Sequence, residues 1–254
     1  MTPVIFANAE ESHAHSLQTL NLIYEYDDFM ESIGAVVDMG CGTGLDLEWW
    51  ATRTTRDDTP RPLNIRCLGV DVLPELSIAH KYLNIQYHKQ QFEEPTTIHK
   101  SKFDVIWCHD AFQYVIDPFA TLAKWWNMLN NDGMLVLILP QTVNIEFNVQ
   151  AFDQRDGCYY NWTMVSLLHT LATSGFDCAG GFFKKQTADP WLHAVVYKSK
   201  HTPKDPRTTK WWDLIEAGLL PETVANSFSK NGQVRQRDLV LPWLDRNLTW
   251  LGQE

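Results

Sequence analysis

Positive charge is what this chain has least of. It carries 21 lysines and arginines against 31 aspartates and glutamates, a formal net charge of -10. A nucleic-acid-binding surface needs a basic footprint to release counterions from phosphates. No dense Lys/Arg run is present, and "RTTRDDTPR" mixes both signs. Nucleic acid is therefore not the expected partner, although a local basic patch would still fit an acidic total. Long apolar runs are missing too. No stretch reaches about 18 apolar residues, so no membrane span is expected. The segment "MTPVIFANAEESHAH" lacks a basic region followed by a long apolar one, so it does not read as a secretory signal. The five cysteines (Cys41, Cys67, Cys108, Cys158, Cys178) form no CxxC pair and are odd in number. Small apolar fillers in a reducing, cytoplasmic compartment are the simpler reading. Neither HExxH nor a spaced Cys/His set occurs, so no metal is expected.

What is present suits one α/β domain with additions. The chain has 254 residues, 44% of them hydrophobic. "EESHAHSLQTLNLIYEYDDFMES" has helical periodicity. "GAVVDMG", "IRCLGVDV", "NIQYHKQ", "KFDVIWCHD" and "GMLVLILPQ" read as strands. "TGLDLEWWATRT", "PELSIAHKYL" and "DPFATLAKWWNMLNNDG" read as helices, the last stopped by Asn-Asp-Gly. Strands alternating with helices over residues 34–139 specify a parallel sheet covered on both faces. Beyond it, "VNIEFNVQAFDQRDGCYY" reads as a long connection. "NWTMVSLLHTLATSGF" reads as a helix capped at Asn161 or Thr163 and ended by Gly175, and "DCAGGFFKK" and "WLHAVVYKSK" as a hairpin. Residues 201–254 hold two apolar-rich pieces, expected as short helices packed on the domain or on a partner subunit, as in a homodimer.

The chemistry concentrates in "VVDMGCGTG", where Gly40, Gly42 and Gly44 alternate after an acid. A nucleotide triphosphate loop needs GxxxxGK[ST], and no lysine lies near Gly44. The dinucleotide fingerprint GxGxxG differs in spacing. Asp38, two residues before the first glycine, would also repel a pyrophosphate. A cofactor with a positive group fits better. S-adenosylmethionine carries an ammonium and a sulfonium and no phosphate, so Asp38 can serve its cationic end. Asp71, closing the next strand in "CLGVDV", is placed to accept from ribose hydroxyls.

These residues resemble the class I S-adenosylmethionine-dependent methyltransferases, most like the small-molecule branch that includes the ubiquinone-biosynthesis methylases. "VVDMGCGTG" is similar to the family's first motif and "GVDV" to its second. "YHKQQFEE" sits where the family reads the adenine amine. "FDVIWCHDAFQYVIDPFATLAKWWNMLNNDGMLVLILP" resembles the block from the fourth strand to the fifth. The resemblance covers about residues 34–198. It implies a doubly wound, seven-stranded, mostly parallel α/β sheet of Rossmann-like type whose seventh strand is antiparallel. Residues 1–33 would form an N-terminal helical cap, 34–200 the methyltransferase domain and 201–254 a C-terminal helical extension. It implies methyl transfer from S-adenosylmethionine to a small-molecule acceptor, with S-adenosylhomocysteine as product. The implied cofactor site comprises Asp38, Met39, Gly40, Cys41, Gly42, Gly44, Asp71, Val72, Gln91, Phe92, Cys108 and His109. His109 and Tyr114 are the candidate catalytic residues, with His109 either a cofactor wall or a general base. Gln91 stands where the family often has Asp, and Gln113 and Tyr114 where it often has Glu and His. An RNA or protein methyltransferase and a non-catalytic scaffold of the same fold are the alternatives.

Other residues read as structural. His13 and His15 are expected as solvated surface on the N-terminal helix and His193 as a core histidine. Tyr159 and Tyr160 fall in a region that contacts substrate by resemblance. The pairs Trp49–Trp50, Trp125–Trp126 and Trp211–Trp212 are expected as core and interface anchors.

Overall fold

Neighbouring residues of a strand point to opposite faces, so strands apolar at both must be covered on both sides. In the computed structural model, β1 (Ala35–Met39) places Val36 in one buried cluster and Val37 in the other. In β5 (Leu129–Pro140), Met134, Val136 and Ile138 join the first cluster, and Leu135, Leu137 and Leu139 the second. The structure describes residues 9–26, 31–72, 81–93, 98, 100–140, 160, 162–185, 191–229, 232–234, 239 and 241.

The remaining strands are β2 (Arg66–Asp71), β3 (Ile85–Lys89), β4 (Phe103–His109), β6 (Phe176–Lys185) and β7 (Trp191–Lys198). The sheet order is β3-β2-β1-β4-β5-β7-β6. Strands β1 to β5 pair in parallel, and β7 runs antiparallel between β5 and β6. This is the mixed, mostly parallel Rossmann-like sheet expected. The chain leaves β1 in one direction to β2 and β3, and returns on the other side at β4. A crevice therefore opens at the carboxyl ends of β1 and β4, the place where such sheets bind ligands.

The described helices are α1 (Ala9–Tyr26), α2 (Leu45–Ala51), α3 (Pro118–Met128), α4 (Met164–Thr173), α5 (Trp211–Glu216) and α6 (Glu222–Asn226). Leu20 and Ile23 of α1 pack with Leu47 and Trp50 of α2, Trp107 of β4 and Trp191 of β7. Helices α3 and α4 cover the opposite face. Asp117 caps α3 by accepting the Ala120 N–H at 2.9 Å, with Pro118 in the first turn. Thr163, one of the two expected caps, starts α4 in a reciprocal pair with Ser166. The other candidate, Asn161, lies outside the described residues, as do most of "PELSIAHKYL" and the connection 141–159 with Tyr159.

The Asn-Asp-Gly stop of α3 is a correction. Helix α3 ends earlier, at Met128, because Leu129 turns to extended backbone and already pairs with Phe103. Residues 130–133 are instead an irregularity at the start of β5. Asp132 takes a φ of 59°, the ladder shifts between Phe103 and Val105, and the Asn130 side chain donates to Asp104 at 2.7 Å.

The described residues of the tail pack against the α4 and β6 side of the sheet. Leu214, Leu219, Leu220 and Val224 share the cluster of α4 and β6, and the Leu219 carbonyl accepts the Cys178 N–H at 2.9 Å. Leu239 and Leu241 are buried in the same cluster, while Trp212 is 54% exposed. Truncating Leu214 to Ala should therefore cost about 2–4 kcal/mol in urea unfolding of the whole chain. A loss below about 0.5 kcal/mol, the surface range, would mean the tail does not share the core.

Candidate functional site

The crevice holds a cavity lined by Ser12 and His13 of α1, Asp38, Gly40, Cys41, Gly42, Thr43, Leu45, Asp46 and His109. Its floor is the glycine turn between β1 and α2. Gly40, Gly42 and Gly44 have φ values of 84°, 50° and 85°, in the left-handed region that side chains rarely adopt. At Gly40 a side chain would also clash, since a Cβ would lie 2.3 Å from that of Ala111. At Gly42 a Cβ would meet nothing within 4 Å. The turn is braced from within. The Gly40 and Cys41 N–H groups donate to the Val70 carbonyl, and the Gly44 N–H to that of Cys41. The Gly42 N–H donates to Asp71 Oδ2 at 2.9 Å, so the acid ending β2 orders the turn.

Asp46, in the first turn of α2, is a feature the sequence reading missed. It is 8% exposed. Its Oδ1 contacts His13 Nδ1 at 2.5 Å and accepts the Ser16 hydroxyl at 2.6 Å. Its Oδ2 accepts the Trp107 indole N–H at 2.9 Å and lies 3.4 Å from His109 Nδ1. Burial works to raise its pKa, but these partners outweigh burial and hold it below the ordinary carboxylate range. Its acidic position after the last glycine was legible. Its partners 30 or more residues away were not.

Asp38 behaves oppositely. Burial, then the charges of Asp46 and Asp71, push its pKa well above the ordinary value. Two carboxylates thus line one cavity in contrasting states. Hydrogen-bonding partners favour the ionised form of Asp46, while burial and two neighbouring carboxylates disfavour that of Asp38.

The histidines of α1 are not solvated surface. Both are partly buried, because α1 lies against the crevice. His15 Nδ1 stands 3.2 Å from His109 Nε2, and its ring is 4.7 Å from Trp191. His193 is buried in β7, and its Nδ1 lies 2.6 Å from the Thr19 hydroxyl, as befits a core histidine. Of the other expected site residues, Met39 and Cys108 are fully buried in the core and do not line the cavity. Val72 is half exposed and Gln91 exposed. Phe92 is partly buried against Trp125. Tyr114 is 39% exposed on a 3-10 turn at Phe112–Tyr114, away from the cavity lining. Tyr160, beside it, donates to the Ile116 carbonyl at 2.9 Å. Burial and neighbouring carboxylates raise the Cys41 thiol, and burial with the charge of Asp38 pushes Cys67 up to about 12, so neither suits nucleophilic work.

Residues 37–135 match the family model described as a methyltransferase domain. The ubiquinone biosynthesis O-methyltransferase of Actinobacillus pleuropneumoniae serotype 5b (strain L20) is 30% identical over 132 residues, 48% of this chain and 52% of that protein. The chain thus matches about half the length of that relative. Among solved structures, a Burkholderia thailandensis 1,6-didemethyltoxoflavin-N1-methyltransferase with S-adenosylhomocysteine bound is 14% identical. It has a TM-score of 0.52, covering 78% of this chain and 94% of that one. The N-methyltransferase NodS of Bradyrhizobium japonicum WM9, also with S-adenosylhomocysteine, is 16% identical. Its TM-score is 0.51, covering 77% of this chain and 90% of that one. The chain carries a methyltransferase domain with the class I, Rossmann-like fold.

Gly40→Ala should destabilise the chain by about 2–4 kcal/mol, combining left-handed strain with overpacking. Gly42→Ala should cost only about 1–2 kcal/mol of backbone strain. Equal losses in urea unfolding would refute the different surroundings assigned to them. For Asp46, a depressed pKa makes its stabilisation present above about pH 4 and lost as pH falls toward the depressed value. Asp46→Ala should lower stability at pH 7 by about 2–4 kcal/mol and flatten the acid limb of the pH–stability curve. An unchanged acid limb would contradict the assignment.

Proposed function

We propose that this chain transfers a methyl group from S-adenosylmethionine to a small-molecule acceptor. The observation that carries the reading is the set of carboxylates at the glycine turn, Asp38 and Asp46 on the cavity wall and Asp71 bracing Gly42. Such a site repels a pyrophosphate and attracts a ligand bearing an ammonium and a sulfonium. The residues fit that cofactor. The cavity is open above Gly42, and a buried Asp38 gains a counter-charge when a cation binds beside it.

When bound, the cofactor supplies a methyl group already activated by positive sulfur. The protein's part is to bind, orient and exclude water. Asp38 and Asp71 serve the cationic end and the ribose respectively. Helix α1 lies over the crevice and shields it. His109 contributes wall and orientation. Its two ring nitrogens face Asp46 and His15, which favours that role over the general-base role. The acceptor needs an in-line approach to the methyl carbon, and an oxygen or nitrogen nucleophile suits it. The ubiquinone biosynthesis O-methyltransferase supports an oxygen acceptor, and the two structural neighbours support nitrogen. A cytoplasmic setting fits the four described cysteines, all buried and free.

Asp71→Ala should weaken S-adenosylhomocysteine binding by about 1–3 kcal/mol in calorimetry. Asp38→Asn, which keeps shape and removes charge, should weaken S-adenosylmethionine by a similar amount. Unchanged affinity in both variants would sink the reading.

A further inference from the structure

Several aspartates of this chain serve the backbone. Asp104 accepts the Gly34 and Ala35 N–H groups, Asp117 that of Ala120, and Asp177 those of Ala179 and Gly180. Asp110 does not. It stands directly after β4, yet its carboxylate accepts no backbone N–H among the described residues, and the 3-10 turn that follows has no side-chain cap. Its φ of 52° lies in the left-handed region, which costs energy in a residue with a Cβ. Backbone strain of this kind gathers at functional sites. Asp110 also sits on the rim of the cavity. It follows His109, which lines the cavity, and precedes Ala111, which bars any side chain at Gly40. Its N–H donates to the Ile138 carbonyl at 2.9 Å, so β4 and β5 together hold it at the crevice.

One carboxylate oxygen, Oδ1, accepts from Gln113 Nε2 at 2.6 Å. Gln113 is buried, and its own Oε1 has no hydrogen-bond partner among the described residues. A buried amide left half unsatisfied is a cost to the fold, so what Gln113 provides is the hold on Asp110. The other oxygen of Asp110, Oδ2, makes no hydrogen bond among the described residues. Burial raises the pKa of this carboxyl. The charge of His109, the Gln113 hydrogen bond and the charge of His15 on α1 only partly offset it. Cys108 is a further titratable neighbour, with a thiol pushed up mainly by its own burial. A carboxylate with a raised pKa and one open oxygen is a better proton acceptor than an ordinary one.

We propose that Asp110, positioned by Gln113, is the general base of the transfer, and that the acceptor presents it with a hydroxyl or a protonated amine. This rests on the S-adenosylmethionine reading above and narrows the class of acceptor. The acceptor donates its proton to Asp110 Oδ2. Its lone pair forms the bond to the methyl carbon, the carbon–sulfur bond breaks with its electrons left on sulfur, and the proton stays on the carboxyl until solvent removes it. An acceptor that arrives already anionic, such as a thiolate, would be repelled by Asp110.

The test gives the whole chain S-adenosylmethionine with catechol, benzylamine or thiophenol, the last ionised at neutral pH. The wild type should methylate catechol or benzylamine in preference to thiophenol. Asp110→Asn keeps the shape and tolerates the left-handed backbone. It should lower kcat for the accepted probe about a hundredfold or more and change KM by less than about threefold. Its affinity for S-adenosylhomocysteine in calorimetry should match that of the wild type. Asp110→Gly, which relieves the φ, should hold or raise the urea midpoint while losing transfer equally. Gln113→Glu should shift the onset of transfer to higher pH, because a second carboxyl disfavours ionisation of the first. An unmoved onset would overturn the role given to Gln113. Unchanged kcat in Asp110→Asn, with a lower midpoint in Asp110→Gly, would overturn the proposal in favour of a structural aspartate. Preference for thiophenol, or transfer to none of the probes by a chain that binds S-adenosylhomocysteine, would overturn the acceptor class. Failure of the wild type to bind S-adenosylhomocysteine would instead overturn the cofactor reading, and this proposal with it.

Discussion

One buried ionised carboxylate ties the site together. Asp46, on α2, receives partners from two other elements: His13 and Ser16 from α1, and Trp107 and His109 from β4. A charge taken out of water is costly unless its oxygens are satisfied. Here each oxygen has two neighbours, so the charge holds α1, α2 and β4 in register. The cavity exists because these elements meet there. Deleting the charge would loosen the cover, the wall and the first turn of α2 together.

Asp38 gives the complementary constraint. It ends up beside Asp46 and Asp71, and burial already opposes its ionisation. A carboxyl with a raised pKa stabilises the fold below its ordinary value and loses that contribution as pH rises through the raised one. A cation bound beside Asp38 reverses the penalty. The carboxylates at the turn thus carry an electrostatic cost that a positively charged cofactor would relieve and a phosphate would deepen. The glycines serve the same end sterically. Gly40 closes against Ala111, and Gly42 leaves the approach open.

Much of this was legible from local pattern. The alternation of apolar strands with helices specified a parallel sheet, and "VVDMGCGTG" located its crevice, because both signals lie within a few residues. The hairpin of β6 and β7 was equally readable. The end of α3 was not, since Leu129 obeys a partner on β4 rather than the Asn-Asp-Gly that follows it. The roles of His13 and His15 were also hidden. Their helix looks amphipathic and polar at that end, and only the packing of Leu20 and Ile23 turns it onto the crevice. Asp46 was not singled out, because an acid in a helix's first turn is ordinary. Its partners come from other elements, so no local window contains them.

The central claim is that this crevice accepts a positively charged adenosyl cofactor and refuses a dinucleotide. Isothermal titration of the purified chain with S-adenosylmethionine, S-adenosylhomocysteine and NAD tests it most directly. The two sulfur ligands should bind in the micromolar range and NAD not at all. Binding of NAD with silence from the other two would contradict it, and would mean that the carboxylates around the glycine turn serve the fold alone.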